Sequence, residues 1–112
     1  MARTGDLQSA IENFQNLDFR NLSDHDTFTL MATQGLIYFR VGDAEKGREL
    51  YLRAIVGFER INEQRTAAIA AYYWAYEEKR ILSSYQEARI KDAKSRVNRF
   101  HVFELDNPIK KL

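Results

Sequence analysis

Cysteine is absent from this sequence, and with it go disulfide frameworks, zinc ribbons and thiol nucleophiles. That absence fits a cytoplasmic protein. Proline occurs once, at Pro108, and glycine five times, so long stretches are free of helix breakers and an all-α fold is favoured. The longest apolar run, Ala67 to Ala75, falls well short of the roughly 20 residues needed to span a bilayer. Residues Met1 to Asp6 lead straight into an amphipathic stretch and lack the apolar centre of a signal peptide. The expectation is a soluble protein without a membrane partner.

What is present is ordinary for a globular chain. Of the 112 residues, 45% are hydrophobic and 29% charged, with seven Phe, six Tyr and one Trp. That content is too apolar for a disordered tail, and the length suits one domain. Net charge is +1, but residues 1–77 are acidic on balance and residues 78–112 basic.

Five helices are predicted. Leu7, Ala10, Ile11, Phe14 and Leu17 form one stripe over about 4–17. Ser23-Asp24-His25-Asp26 looks like a capped start for a helix over about 24–41, which is apolar nearly all round. Gly42-Asp43 closes it and caps the next, about 43–62, where Glu49 and Arg53 are i,i+4 partners. A fourth helix is expected over about 65–82. A fifth, about 84–103, is opened by the capping box Ser84-Tyr85-Gln86-Glu87. Residues 1–103 then form one helical domain, and 104–112 a tail marked by Pro108.

The odd-numbered stripes superimpose. Leu7, Ala10, Ile11, Phe14 and Leu17 match Tyr51, Ala54, Ile55, Phe58 and Ile61, and then Ile90, Ala93, Lys94, Val97 and Phe100. Gly35-x2-Tyr38 likewise matches Ala71-x2-Trp74. Two helix types alternating at a period of about 35 to 45 residues mark a helical solenoid. The unit Gly35-x2-Tyr38-x3-Gly42-Asp43-x3-Gly47-x3-Tyr51-x2-Ala54-Ile55 resembles the tetratricopeptide repeat over about residues 28–61. Outside that span the likeness weakens. Glu59 stands where the family has proline, and the following unit keeps only Ala71, Trp74 and Ala93 and carries an insertion.

The resemblance implies helix pairs stacked as a short right-handed α-solenoid, with Gly35, Tyr38, Gly47, Tyr51, Ala54, Ala71 and Trp74 as packing positions. It also implies a partner-binding groove at Thr29, Ala32, Leu36, Phe39 and Arg40, continued by Arg65, Ala68, Tyr72, Ala75 and Tyr76. Of these, Leu36, Phe39, Tyr72 and Tyr76 supply apolar and aromatic surface, with Arg40 and Arg65 at its margins. Tyr and Arg are favoured binding anchors. The alternative is that these aromatics are core. The Lys and Asn of the family's two-carboxylate clamp are replaced by Ala32 and Leu36, which argues against a chaperone cofactor. Because the chain begins half-way through a repeat, a homodimer or a larger assembly is expected to cover the open side.

Signals for catalysis are poor. His25 has no further ligand at metal spacing and reads as a solvated helix start. His101 suits a helix end. Gly42 and Gly47 make no phosphate loop. Glu77 and Glu78 read as a solvated face. No enzyme activity, metal or cofactor is expected. The remaining candidate is nucleic acid: Arg89, Lys91, Lys94, Arg96 and Arg99 share the last helix, of which Lys91, Lys94 and Arg99 would make the contacts. Their spread around the helix and the Glu87–Lys91 and Asp92–Arg96 pairings favour a solvated surface instead.

Overall fold

The computed structural model describes residues 22–112, and these are all-α. Helices α1 (Asp24–Arg40), α2 (Ala44–Arg60), α3 (Gln64–Arg80) and α4 (Gln86–Arg99) follow one another. A 3-10 turn (Phe103–Leu105) then leads into the short α5 (Asp106–Lys110). No strand occurs among the described residues. The helix expected over 4–17 lies outside them.

The starts of the helices follow local chemistry. Ser23 caps α1 by accepting the Asp26 N–H at 3.1 Å, and Asp43 caps α2 by accepting that of Lys46 at 3.2 Å. The capping box expected at Ser84 does not form: α4 begins two residues later, and its cap position, Tyr85, bonds through no side chain. Ser83 serves this turn instead, with its hydroxyl accepting the Tyr85 N–H at 3.2 Å and its carbonyl accepting from Gln86 Nε2 at 3.1 Å.

The ends of the helices are alike. Val41-Gly42-Asp43, Ile61-Asn62-Glu63, Ile81-Leu82-Ser83 and Phe100-His101-Val102 each place their central residue at positive φ: 93°, 61°, 53° and 54°. In each, the third N–H donates to the carbonyl five residues back: Asp43 to Tyr38, Glu63 to Phe58, Ser83 to Glu78 and Val102 to Val97, at 2.9–3.1 Å. This is the Schellman closure, which satisfies carbonyls that the helix leaves open. An arginine stands last in each of α1 to α4, Arg40, Arg60, Arg80 and Arg99, where a cation suits the dipole.

Connections this short make successive helices antiparallel, and α1 packs on α2, α2 on α3, and α3 on α4. The α1–α2 contact is close because Gly35 faces Gly47. A Cβ on Gly47 would lie 2.9 Å from the Gly35 carbonyl oxygen and 2.6 Å from the Phe39 ring. Tyr51 fills the space beside them and stacks on Trp74, ring planes 4° apart and centroids 6.1 Å apart. Phe39, Tyr51, Ala54, Phe58, Ala67, Ala71 and Trp74 belong to one core.

The stretch set apart as a tail is part of that core. Leu105 and Ile109 of residues 104–112 are buried in it beside Val102, the spacing of three and four placing all three on one side of the turns. They pack against the open flank of the α3–α4 pair.

Candidate interaction groove

Helices α1 and α3 run parallel, bridged at both ends. At their starts His25 Nδ1 meets Glu63 Oε2. At their ends Arg40 makes a two-pronged bond to Glu77, Nε to Oε1 at 2.7 Å and Nη2 to Oε2 at 2.9 Å. Fifteen residues separate His25 from Arg40, so about 22 Å of helix lies between the bridges. Along it runs a hollow of about 240 Å³. Thr29, Ala32, Thr33 and Leu36 wall it from α1, and Thr66, Ile69, Ala70 and Tyr73 from α3, over Tyr51 and Phe58 of α2.

The threonines make this surface more apolar than their type suggests. Thr29 Oγ1 donates to the His25 carbonyl at 2.8 Å and Thr33 Oγ1 to that of Thr29 at 3.0 Å. With the hydroxyls bound to their own helix, what these residues offer a ligand is chiefly their methyl groups. Burial pushes the Tyr51 hydroxyl well above the ordinary tyrosine pKa, so the floor stays uncharged.

Glu77 and Glu78 do not line a solvated face; both are buried, at 1% and 0% exposure. Adjacent positions on a helix diverge, and here each carboxylate meets its own arginine. Glu77 takes Arg40 from α1 and, at 3.0 Å, Arg80 Nε. Glu78 takes Arg48 of α2 in a two-pronged bond at 2.8 and 2.9 Å, Ser83 Oγ at 2.8 Å and Trp74 Nε1 at 3.0 Å. Desolvation alone would push the Glu78 carboxyl up. The bonds from Arg48, Ser83 and Trp74 outweigh it and hold its pKa below the ordinary value. Arg48 also lies 4.4 Å from the Tyr85 ring centroid, and Arg89 4.5 Å from that of Trp74. The two carboxylates tie α3 to both preceding helices.

The six residues expected to form the groove fall in separate places. Leu36 lines the α1–α3 hollow. Phe39 is core, 2% exposed, because it turns towards Gly47 and Tyr51. Ala68 and Ala75 are likewise buried. Arg40 is held by Glu77, and Arg65 by Glu104 at 3.1 Å. Tyr72 and Tyr76 lie on the other flank of α3, lining a second cleft of about 500 Å³ with Lys79, Arg80, Pro108, Lys111 and Leu112.

Tyr73, which sequence reasoning passed over, is half-exposed at the groove wall and packs edge-on against Tyr72 at 5.2 Å. The run Tyr72-Tyr73 was its one visible signal. The packing residues Gly35, Tyr38, Gly47, Tyr51, Ala54, Ala71 and Trp74 are all buried. On α4, Lys91, Lys94 and Arg99 are exposed, with Arg99 over the Phe100 ring, whereas Arg96 is bound by Asp92 at 3.0 Å.

Among the described residues no group of three or more His, Asp or Glu could hold a metal ion, and no helix is long and apolar enough to cross a membrane. Compared with family models, curated proteins and solved structures, the chain matches none.

Proposed function

We propose that this chain is a protein-binding module, organised as tetratricopeptide-like helix pairs, that holds a segment of a partner in the groove between α1 and α3. The observation that carries this reading is the bridged groove itself. Two parallel helices are fixed at both ends by cross-groove pairs, and the trough between them is apolar, shallow and open. At about 3.3 Å per residue, some six or seven extended residues span it. Its hollow of about 240 Å³ is small beside the ~300–1,000 Å³ of small-molecule pockets. It suits one or two apolar side chains of a longer segment, with half-exposed Tyr73 as an anchor of the type that concentrates binding energy. The close approach of Gly35 to Gly47 supports the repeat-like organisation, since small residues at that contact are what the resemblance implies. A second copy of the chain is one partner that such a surface admits.

The test is selection of peptides from a displayed library against the protein, followed by affinity measurements on Tyr73→Ala and Thr33→Trp. Both positions are exposed, so folding should be retained, which a thermal melt verifies. Binding should weaken at least about ten-fold, or ~1.4 kcal/mol, in both variants. Selected peptides that bind both variants as tightly as the parent would dispose of the groove.

A further inference from the structure

The second cleft, between α3 and the C-terminal turns, has a different chemistry. Three of its lining residues are cations, Lys79, Arg80 and Lys111, and none has an acidic side chain; the aromatic wall is Tyr72 and Tyr76. The cations are only partly committed. Lys79 Nζ donates to the Lys111 carbonyl at 2.8 Å and to the terminal oxygen of Leu112 at 3.2 Å, which leaves one of its three N–H groups. Arg80 spends Nε on Glu77 and Nη2 on the Phe39 carbonyl at 3.3 Å, which leaves the Nη1 donors. Lys111 is exposed.

The neighbouring negative charge is insufficient to cancel these. Glu77, already shared with Arg40, is 1% exposed. The carbonyl ends of α3 and α5 each contribute at most about half a charge. Counting Arg40 on one side and a terminal carboxylate on Leu112 on the other, an excess of about one positive charge remains. The cleft is also pre-formed, since Val102, Leu105 and Ile109 anchor its far wall in the core. Burial raises the Tyr72 pKa, so its hydroxyl remains a donor.

We infer that this cleft receives acidic side chains of a protein partner, Asp or Glu flanking an aromatic or large apolar residue that rests on Tyr72 and Tyr76. The inference rests on the protein-binding reading and extends it, because Tyr72 and Tyr73 touch across α3 and join the two clefts into one surface.

The experiment is a heteronuclear NMR titration of the whole chain with the blocked pentapeptide Glu-Glu-Phe-Glu-Glu, its Lys-Lys-Phe-Lys-Lys counterpart and inorganic phosphate. The acidic peptide is expected to shift the amides of Tyr76, Lys79, Lys111 and Leu112. It should weaken several-fold when salt shortens the screening length from about 10 to about 3 Å. Lys111→Glu should cost about ten-fold in its affinity, and Lys111→Gln less. Equal shifts from the basic peptide, or the whole pattern reproduced by phosphate, would overturn the inference. So would shifts confined to Ala32, Leu36 and Thr66, an outcome that leaves the groove standing. Shifts at the cleft that survive Tyr73→Ala unchanged would separate this site from the groove and uphold it alone.

Discussion

Gly35 and Gly47 meet across the α1–α2 contact, and a methyl group would crowd the first and clash at the second. A Cβ on Gly35 would lie 3.0 Å from the Tyr51 ring and 3.1 Å from the Gly47 carbonyl oxygen. At Gly47 the corresponding distances, 2.6 Å to Phe39 and 2.9 Å to backbone, are tighter. Replacing a helical glycine by alanine gains about 1 kcal/mol in propensity, so the sign depends on whether the contact can yield. At Gly35 it nearly can; at Gly47 both a core ring and a backbone oxygen must move.

Gly47→Ala should therefore lose about 1–3 kcal/mol, with Gly35→Ala close to neutral and Gly35→Leu losing a few. Urea denaturation of the three variants checks this order. A Gly47→Ala protein as stable as the parent would show that the helices are free to separate there.

The buried carboxylates differ in what their loss exposes. Glu78→Gln keeps an acceptor for Ser83 but leaves the Arg48 guanidinium, 26% exposed, without its counter-charge. Breaking such a pair costs about 3 kcal/mol. Glu77→Gln should cost less, because Arg40 and Arg80 remain 43% and 38% exposed and water can serve them. Because the Glu78 pKa is lowered in the folded state, its stabilisation is present above the ordinary value of 4.5. It is lost as pH falls through the folded value. The acid limb of a stability–pH curve should flatten in Glu78→Gln. An unchanged acid limb would remove Glu78 from that account.

Leu82 is an anomaly in its turn. It holds φ at 53° with 79% of its surface exposed, where the equivalent positions carry Gly42, Asn62 and His101. A left-handed conformation costs a non-glycine residue about 1–2 kcal/mol, and asparagine tolerates it better. Leu82→Asn should raise stability by about 0.5–1 kcal/mol, since little burial is lost. A fall in melting temperature would mean that the leucine packs against something.

How much of this was legible depended on period and on partners. The helix ends could be read from Gly42-Asp43 and from the apolar stripes, and the Gly35–Gly47 contact from a glycine that a helix tolerates only for a reason. The four closures could also have been found: an arginine, an apolar residue and a left-handed residue recur at 40–42, 60–62, 80–82 and 99–101. Leucine and histidine at the left-handed position obscured the repeat. Glu77 and Glu78 were misread because adjacent acids on a helix ordinarily face water, and nothing local reveals that Arg40 and Arg48 converge on them from other helices. Phe39 was placed in the groove through the resemblance alone; its contact with Gly47 is tertiary. Val102, Leu105 and Ile109 carried a helical spacing that Pro108 masked.

The bridge between the starts of α1 and α3 is sensitive to pH. Glu63 accepts from His25 and raises its pKa above 6.5 against the opposing effect of desolvation, with smaller help from the charges of Glu63 and Asp26. A group whose folded pKa is raised contributes stability that is complete below its unfolded value. That contribution is lost as pH rises through the folded value. The His25–Glu63 link between α1 and α3 is thus strongest below pH 6.5 and weakens above the folded midpoint. Both side chains are partly exposed, 47% and 34%, so the effect on global stability is small and screened by salt. It is best read locally. The His25 ring protons should titrate with a midpoint above 6.5 in NMR, and Glu63→Gln should move that midpoint down. Melting temperature should decline slightly from pH 6.5 upwards in the parent and stay level in Glu63→Gln. A midpoint at or below 6.5 in the parent would show that the two helices are not joined there in solution.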